Sequence, residues 1–301
     1  MRQDKLRIAF ATPEYVTERN FDGGLANYIN RVAKLLANLS HDVHVVTYSL
    51  TDETDFDHEG VAVHRVSRRG DWDFCNRATR YSFPTTFYWL SISTQIYRKL
   101  KQLHREQPFH LIQYPNYSFC GVFAIPLLRA AHVIRVSSYE PVWRAAGGVQ
   151  KTPDTFFSDC LETLQYKLTR NVFAPSHTMS RMLTRNTGMS NVPVISSPVH
   201  LETQNWDYTV YNEFLKDKKY LLFFGRFQLH KGFHILAQAL PRFLSRYTDA
   251  YVALVGRDAE TSLAPSMAAF ARMLCGPSAT RLVLLENLPH SQLYPVIDGA
   301  R

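Results

Sequence analysis

One short segment of the chain carries residue types that suit the binding of a phosphate-bearing ligand. Arg226 follows an apolar run that ends at Gly225, and Lys231 precedes Gly232, where an amphipathic stretch begins. Arg offers a planar fork that fits phosphate oxygens, whereas Lys supplies a point charge. Ligands of open α/β folds bind at the carboxyl edge of the sheet, where helix N-termini favour anions. The segment therefore predicts a diphosphate site, with a solvated basic loop as the alternative.

A second candidate loop runs from Thr12 to Gly24, between the first predicted strand and the first predicted helix. Gly23 and Gly24 directly precede this helix, where glycine allows close backbone approach and the helix end favours anions. The glycine spacing does not match Gly-x-Gly-x-x-Gly, so the dinucleotide-binding fingerprint is absent. A plain turn is an equal alternative interpretation of this pair.

Other kinds of site are disfavoured by residue spacing. His230 and His234 are four residues apart, but Lys231 stands where a zinc-protease motif has glutamate, so no metal site is predicted. The acidic cluster from Asp52 to Glu59 is predicted to be a solvated loop rather than a pair of catalytic carboxylates. The Gly-x-Ser-x-Gly elbow of the serine hydrolases is absent.

Composition limits the class of protein. The 301 residues predict about two domains, and 46% hydrophobic residues exclude a disordered chain. The net charge of +8 suits an anionic ligand or a membrane surface, but its even spread does not indicate nucleic acid. The four cysteines form no CxxC pair, which favours a reducing compartment over a disulfide framework. With no signal-peptide core and no spanning segment, the sequence predicts a cytoplasmic protein.

Short apolar runs alternate with longer amphipathic segments, which is the pattern of βαβ units around a parallel sheet. One series predicts a domain over residues 1–200, the polar segment 198–218 is predicted to be a linker, and a second series occupies residues 219–301. The second series holds three strands, whereas a doubly wound domain has about five or six. This domain is therefore predicted to be incomplete, and the chain is predicted to be a fragment. The predicted strands are Leu6–Ala11, Val43–Thr47, Val61–Val66, Leu111–Tyr114, Val133–Ser137, Asn171–Ala174, Val192–Ser196, Tyr220–Gly225, Tyr251–Gly256 and Leu282–Leu285.

The order of these motifs resembles that of the family-4 (group 1) glycosyltransferases. Gly225-Arg226, four residues, then Lys231-Gly232 is similar to the family's donor-site motif. Gly23-Gly24 resembles the family's phosphate loop, and the resemblance runs through nearly the whole chain. It implies an α/β protein with the GT-B fold, in which two Rossmann-like domains face each other across a cleft. Two further similar segments are Ala174-Pro175-Ser176 and Val192-Pro193-Val194-Ile195.

The resemblance implies a hexosyltransferase that takes a sugar from a UDP- or GDP-linked donor. The anomeric configuration would be retained, and neither a catalytic metal nor another cofactor would be required. Arg226 and Lys231 would neutralise the leaving diphosphate, and such stabilisation of developing charge is usually the largest catalytic contribution. Gly23, Gly24 and Gly225 would give the phosphates room and backbone N–H groups.

The resemblance also implies an acceptor side for a glycan or lipid-linked acceptor. Tyr114, Asn116 and Tyr117 resemble its loop, with a buried packing tyrosine as an equal alternative. Ser137 and Ser138 stand where many members have a histidine, and a serine can hydrogen-bond a sugar but cannot act as a cation. The family's Glu-x7-Glu motif is missing, so a nucleotide-binding or partner-binding fragment without turnover is the alternative function. A Rossmann-type oxidoreductase is disfavoured by the missing glycine fingerprint.

Peripheral contact with the inner face of a membrane is a further prediction, based on the helix Thr85–His104. The helix begins with an aromatic cluster and ends with basic residues, an arrangement that can dock on anionic lipid. An ordinary amphipathic helix is the alternative. The residues concerned are Phe87, Tyr88, Trp89 and Leu90, followed by Arg98, Lys99, Lys101 and Arg105.

Overall fold

The structure is a computed structural model that describes residues 5–19, 23–169, 171–198 and 206–300. The chain divides into two compact units, Met1–His200 and Leu201–Arg301. Each unit has its own sheet and its own hydrophobic cores. No helix in the described ranges is long and apolar enough to span a membrane.

The N-terminal unit is built on a seven-stranded sheet with the order β3-β4-β2-β1-β5-β6-β7, in which β3 alone pairs antiparallel. The other described pairings are parallel, and the central strands are buried on both faces. Strands of this kind appear in a sequence as continuous apolar runs, which is why most of them were predictable. Their bounds are β1 Arg7–Thr12, β2 Asp42–Tyr48, β3 Asp55–His58, β4 Val61–Val66, β5 Leu111–Pro115, β6 Ala131–Arg135 and β7 Val172–Phe173.

Helices cover this sheet, and the first turn of one is capped by another. Asp154 on α6 accepts hydrogen bonds from the backbone N–H groups of Thr85 (3.0 Å) and Thr86 (2.9 Å) on α3. Burial opposes the charged form, but these hydrogen bonds lower the pKa of Asp154. A carboxylate at a helix N-terminus also complements the helix dipole. The helices are α1 Gly24–Asn38, α2 Asp73–Ala78, α3 Pro84–Glu106, α4 Ala124–Leu127, α5 Glu140–Ala146, α6 Pro153–Thr169 and α7 His177–Thr187.

Two predictions of local structure in this unit are wrong. The acidic cluster is not only a loop, because Asp55–His58 forms β3, which joins β4 through a turn at Glu59 (φ 55°) and Gly60 (φ 82°). Positive φ at both turn residues favours this kind of hairpin. The predicted strand Val192–Ser196 is reduced to a single bridge between Ala174 and Val194, because the neighbouring Pro193 has no N–H to donate.

The aromatic residues at the start of α3 are partly buried by packing. The ring of Phe87 stacks on Trp72 at 6.1 Å, Trp89 contacts Tyr117 at 5.4 Å, and Leu90 is buried. At the basic end of the helix, Lys99 forms an ion pair with Asp55. Membrane docking through this helix stays a prediction, and these contacts leave only part of each aromatic ring accessible.

The C-terminal unit has, in its described residues, a parallel sheet with the order β10-β9-β8. The segment predicted to be a linker contains the helix α8 and the buried Leu215, which packs against Tyr220 and Val296. A helix of six residues is too short to show a helical period in the sequence. The elements are α8 Thr209–Phe214, β8 Lys219–Phe224, α9 Phe233–Arg246, β9 Ala250–Val255, α10 Met267–Cys275, β10 Leu282–Leu285 and α11 His290–Asp298.

Candidate functional site

The carboxyl edge of the C-terminal sheet is shaped by two glycines, one after β8 and one after β9. Gly225 (φ 131°) donates its N–H to Val255 at 2.9 Å, and Gly256 (φ 142°) donates to Leu285 at 3.0 Å. A Cβ on Gly256 would overlap the carbonyl oxygen of Gly225. The edge thus depends on a backbone conformation and a close approach that are open only to glycine.

The loop between β8 and α9 is anchored on the core by one aromatic residue. Phe227 is buried, and its ring stacks on Phe233 with a centroid distance of 4.5 Å. Its backbone N–H also donates to Arg257 at 3.0 Å, which ties the loops after β8 and β9 together. Gly232 (φ 73°) then caps α9, so the loop ends at a helix N-terminus with no acidic residue in the first turn. That helix end attracts anions.

Three basic side chains lie close to one another on this loop. Arg226 is half-buried, Lys231 is exposed, and His230 lies in the short helical turn Leu229–Lys231. Burial, and then the positive charges of Lys231 and Arg226, lower the pKa of His230. The structure thus brings together the two cations that the sequence singled out, and adds a histidine beside them.

Two buried polar atoms near this loop have no hydrogen-bond partner in the described structure. They are Oε1 of Gln228 and Nδ1 of His234. Buried polar atoms are normally paired, so both indicate a place where a ligand or water completes the bonding. In the described residues, no group of three or more His, Cys, Asp or Glu side chains could hold a metal ion. The chemistry offered by this edge is therefore recognition of an anion by cations and backbone N–H groups.

In the N-terminal unit, Gly23 caps α1 and Gly24 is its first residue. No acidic residue lies in the first turn, and a Cβ added at either glycine would meet nothing within 4 Å. Among the described residues, nothing fills the space beside this helix N-terminus, which suits an anionic group. Neither glycine is required by packing or by a positive φ.

Strand β5 and the loop after it contain three of the predicted acceptor-side residues, and two of them are buried. Tyr114 is buried in the core, and its hydroxyl lies 3.1 Å from Nδ1 of His132. It cannot stack on a sugar, and Asn116 is likewise closed off from solvent. Tyr117 is partly exposed, and burial of the rest raises its pKa to about 12. Of the three, Tyr117 is the side chain that the described structure leaves accessible.

Asn116 instead joins the loops after β5 and β6. Its Nδ2 donates to Oε1 of Glu162 at 2.7 Å and to the carbonyl of Ser138 at 2.9 Å. Its Oδ1 accepts from the backbone N–H of Ser137 at 3.0 Å. Gln165 on α6 donates to the carbonyl of Asn116 at 2.7 Å. One amide side chain thus fixes both loops against α6.

Glu162 is a buried carboxyl group at the centre of this network. Burial raises its pKa to about 8, against hydrogen bonds from Tyr166 and Asn116 that favour the charged form. Nearby Glu140 and Asp159 raise the pKa further. The carboxyl group therefore holds its proton more tightly than an exposed glutamate does.

Arg135 ends β6 and is buried without a carboxylate partner in the described structure. Its guanidinium donates to the hydroxyls of Ser137 and Ser197, and its Cζ lies 3.7 Å from the ring centroid of Tyr28. Ser138 is held differently, since its hydroxyl donates to Glu140 at 3.1 Å. Both predicted serines therefore have protein partners and remain partly accessible.

Sequence analysis missed Glu162, Gln165 and Arg135, although one of the patterns was readable. Glu162, Gln165 and Tyr166 have the i, i+3, i+4 spacing of a single helix face, and all three are buried on α6. Polar residues that share one face of a helix can form a hydrogen-bonded network when that face is buried. Arg135 gave no such indication, because its environment comes from α1 and from Ser197.

Comparison of the chain with solved structures shows its fold. Sucrose-phosphate synthase from Thermosynechococcus elongatus matches with a TM-score of 0.66 at 15% identity, over 98% of this chain and 74% of that one. The catalytic domain of starch synthase IV from Arabidopsis thaliana, bound to ADP and acarbose, matches with a TM-score of 0.63 at 12% identity, over 99% and 77%. HepE from Anabaena, in complex with UDP, matches with a TM-score of 0.63 at 12% identity, over 98% and 72%.

These likenesses establish the GT-B fold, as the sequence resemblance predicted, and the α/β class with it. A search among curated proteins gives no match. The family model described as "Glycosyl transferase 4-like domain" matches residues 23–198, which is more than half of the chain. The chain therefore belongs to the glycosyl transferase 4-like family, among the group 1 glycosyltransferases of GT-B fold.

Proposed function

We propose that this protein transfers a hexosyl group from a UDP- or GDP-linked sugar to a glycan or lipid-linked acceptor, with retention of anomeric configuration and without a catalytic metal. The observation that carries the proposal is the cationic loop of the C-terminal unit, where Arg226, His230 and Lys231 surround the N-terminus of α9. Two of the similar structures hold nucleoside diphosphates, ADP and UDP. These bound nucleotides support a nucleotide donor, and the choice of base is left to experiment.

Negative charge grows on the diphosphate as the bond to the sugar breaks. Arg226 and Lys231 stabilise this charge in the transition state, and α9 adds the partial positive charge of its N-terminus. Each charge-assisted contact of this kind contributes about 1.5–3 kcal/mol. Gly225 and Gly256 position the loop, because their backbones lie in close contact with each other.

On the acceptor side, the proposed contacts come from Tyr117, Ser137 and Ser138, because these side chains are partly accessible. Gly23 and Gly24 contribute open space and the N-terminus of α1. Asn116 and Glu162 act beneath them by fixing the two loops. We assign the reaction to the cytoplasm, since all four cysteines are free and thus suited to a reducing compartment.

Thermal denaturation with UDP, GDP and their sugars tests the donor site. A ligand that binds the folded state raises Tm, and the increase should disappear in Arg226→Ala and weaken in Lys231→Ala. Arg242→Ala is the matched control, because Arg242 is an accessible arginine further along α9. Unchanged nucleotide affinity in both loop variants would refute the donor-site assignment.

A transfer assay tests the reaction itself. Nuclear magnetic resonance of the product should show the anomeric configuration of the donor, and excess EDTA should leave the rate unchanged. Inversion, or loss of activity with EDTA, would refute the corresponding part of the proposal. Nucleotide binding that depends on Arg226 but yields no product with any donor would favour the binding-only alternative.

A further inference from the structure

One surface of the N-terminal unit exposes large aromatic side chains next to basic ones. We call it the aromatic-basic surface and define it by α2, the turn before α3 and the start of α6. Its most exposed side chains are Phe74 (73%), Phe156 (69%) and Tyr81 (63%). Isolated exposed hydrophobic residues are common, but neighbouring large ones indicate an interaction site. The residues of this surface are Phe74, Arg77, Arg80, Tyr81, Lys151, Phe156 and Phe157.

The two segments of this surface are neighbours in the structure. The ring of Phe83, which follows the turn, lies 5.7 Å from the ring of Phe157 on α6. The backbone N–H of Tyr81 donates to Asn76 on α2 at 2.9 Å, which folds the turn back onto that helix. Asp154, one turn of helix from Phe157, caps α3. Contacts therefore connect α2, the turn and α6 into one region.

The turn itself has an unusual backbone. Arg80 (φ 50°) and Tyr81 (φ 58°) are consecutive residues in the left-handed region, which bulky side chains rarely adopt. Such conformations are retained where they place side chains for a purpose. Here the result is a basic and an aromatic side chain that are both exposed to solvent.

The basic residues of this surface have no acidic partners among the described residues. Arg77, Arg80 and Lys151 are accessible to solvent, and none of them forms an ion pair in that part of the chain. Two acidic side chains close in sequence to this surface pair with other residues, since Asp73 pairs with Arg68 and Asp159 pairs with Arg144. The surface therefore has a positive charge that its described neighbours do not balance.

We propose that the aromatic-basic surface binds the anionic face of a phospholipid bilayer. Aromatic rings settle at the boundary between headgroups and acyl chains, and Lys and Arg nearby bind anionic headgroups. Both kinds of side chain are present and accessible on this surface, whereas the aromatic residues of α3 are engaged in packing. The proposal extends the proposed function by giving a location where a lipid-linked acceptor is reached, and it does not depend on the nucleotide site.

Vesicle flotation with the full chain tests the proposal. We expect binding to vesicles of phosphatidylcholine mixed with phosphatidylglycerol, and little binding to phosphatidylcholine alone. Each basic residue should contribute about a fivefold factor, so Arg77→Gln/Arg80→Gln/Lys151→Gln should weaken partition about a hundredfold. Phe74→Ser/Phe156→Ser should weaken it about tenfold or more, because the rings no longer enter the interface.

Matched variants separate this surface from general charge and hydrophobicity. Arg181→Gln/Arg185→Gln removes two exposed charges from α7, and Leu35→Ser removes a half-exposed apolar side chain from α1. Both controls should float like the unaltered protein. Equal loss in the controls, or binding to neutral and anionic vesicles alike, would overturn the proposal.

Two further measurements separate membrane binding from self-association and from nucleotide binding. If light scattering without lipid shows oligomers that the phenylalanine variant dissolves, the surface is an interface between copies of this chain and the proposal fails. The increase in Tm with nucleotide should persist in every variant of this surface. Lost flotation with intact nucleotide binding therefore concerns the membrane surface alone, whereas absent nucleotide binding in the unaltered chain concerns the donor site alone.

Discussion

The carboxyl edges of the two sheets differ in the side chains that they carry and in how these are held. The C-terminal edge presents charge, because Arg226, His230 and Lys231 are held on a loop whose shape depends on glycine. The N-terminal edge is organised by buried groups, since Asn116, Glu162 and Arg135 hold the loops after β5 and β6. The first edge should therefore lose ligand binding when its side chains are removed, whereas the second should lose stability.

The largest expected effect is that of Gly256→Ala. Its Cβ would overlap the carbonyl of Gly225, and its φ of 142° strains any other residue, so we expect a loss of about 3 kcal/mol or more in the free energy of unfolding. Gly23→Ala, whose Cβ meets nothing, is the matched control and should cost less than about 1 kcal/mol. Urea denaturation measures both, and equal losses would contradict the comparison between the two edges.

Asn116→Ala should destabilise the N-terminal unit by about 2–3 kcal/mol. The change leaves the N–H of Ser137, the carbonyl of Ser138 and the carboxyl of Glu162 without their partner. Lys231→Ala, by comparison, should change the free energy of unfolding by less than about 0.5 kcal/mol, because Lys231 is exposed. A stable Asn116→Ala protein with altered donor binding would reverse the assignment of roles.

The pH dependence of stability tests the buried carboxyl group. The pKa of Glu162 is raised from 4.5 to about 8, so the folded state holds the proton more tightly than the unfolded state does. Its stabilising contribution is complete below pH 4.5 and is lost as the pH rises to about 8, with a slope of at most about 1.4 kcal/mol per pH unit.

Glu162→Gln should flatten this slope, because the amide does not titrate. Urea denaturation between pH 5 and pH 8 compares the two proteins. Glu106→Gln serves as a control, because Glu106 is an exposed carboxylate at the end of α3. Parallel curves for the unaltered protein and Glu162→Gln would show that this carboxyl group is charged throughout.

The smallest expected effect is electrostatic. Lys231→Ala should raise the pKa of His230, because a positive charge that lowers it is removed. Burial, which is the larger cause, remains, so the pKa should stay below its ordinary value. Proton resonances of the histidine ring measure this change, and an unchanged pKa would place Lys231 too far from His230 to act on the same ligand.

The features that could be predicted from the sequence are those that depend on residues close to one another along the chain. Strands such as Val61–Val66 and Leu282–Leu285 were found at their observed bounds, because short segments rich in apolar residues between polar ones are typical of strands. The proximity of Arg226 and Lys231 could be predicted, because one short loop carries both. These features depend on residues close in sequence.

The features that sequence analysis missed depend on distant residues. Tyr114 is buried in the core, and its hydroxyl contacts His132, 18 residues further along the chain. Nothing in the sequence around Tyr114 distinguishes an outward tyrosine from an inward one. The packing of the aromatic residues of α3 was missed for the same reason, since Trp72 and Tyr117 are their partners. Burial is a property of the assembled fold, and a local pattern states only that a side chain is able to pack.

The capping of α3 by Asp154 sets an order of events during synthesis. Thr86 leaves the ribosome 68 residues before the carboxylate that completes its helix end. Until α6 has emerged, the backbone N–H groups of Thr85 and Thr86 lack this carboxylate. The ring of Phe83 also lacks its contact with Phe157 on α6. Because the two partners are far apart in sequence, the native contact forms slowly, and apolar surface of the partly folded chain stays exposed for longer. The nascent chain is therefore expected to need protection from a chaperone in the interval between these two helices.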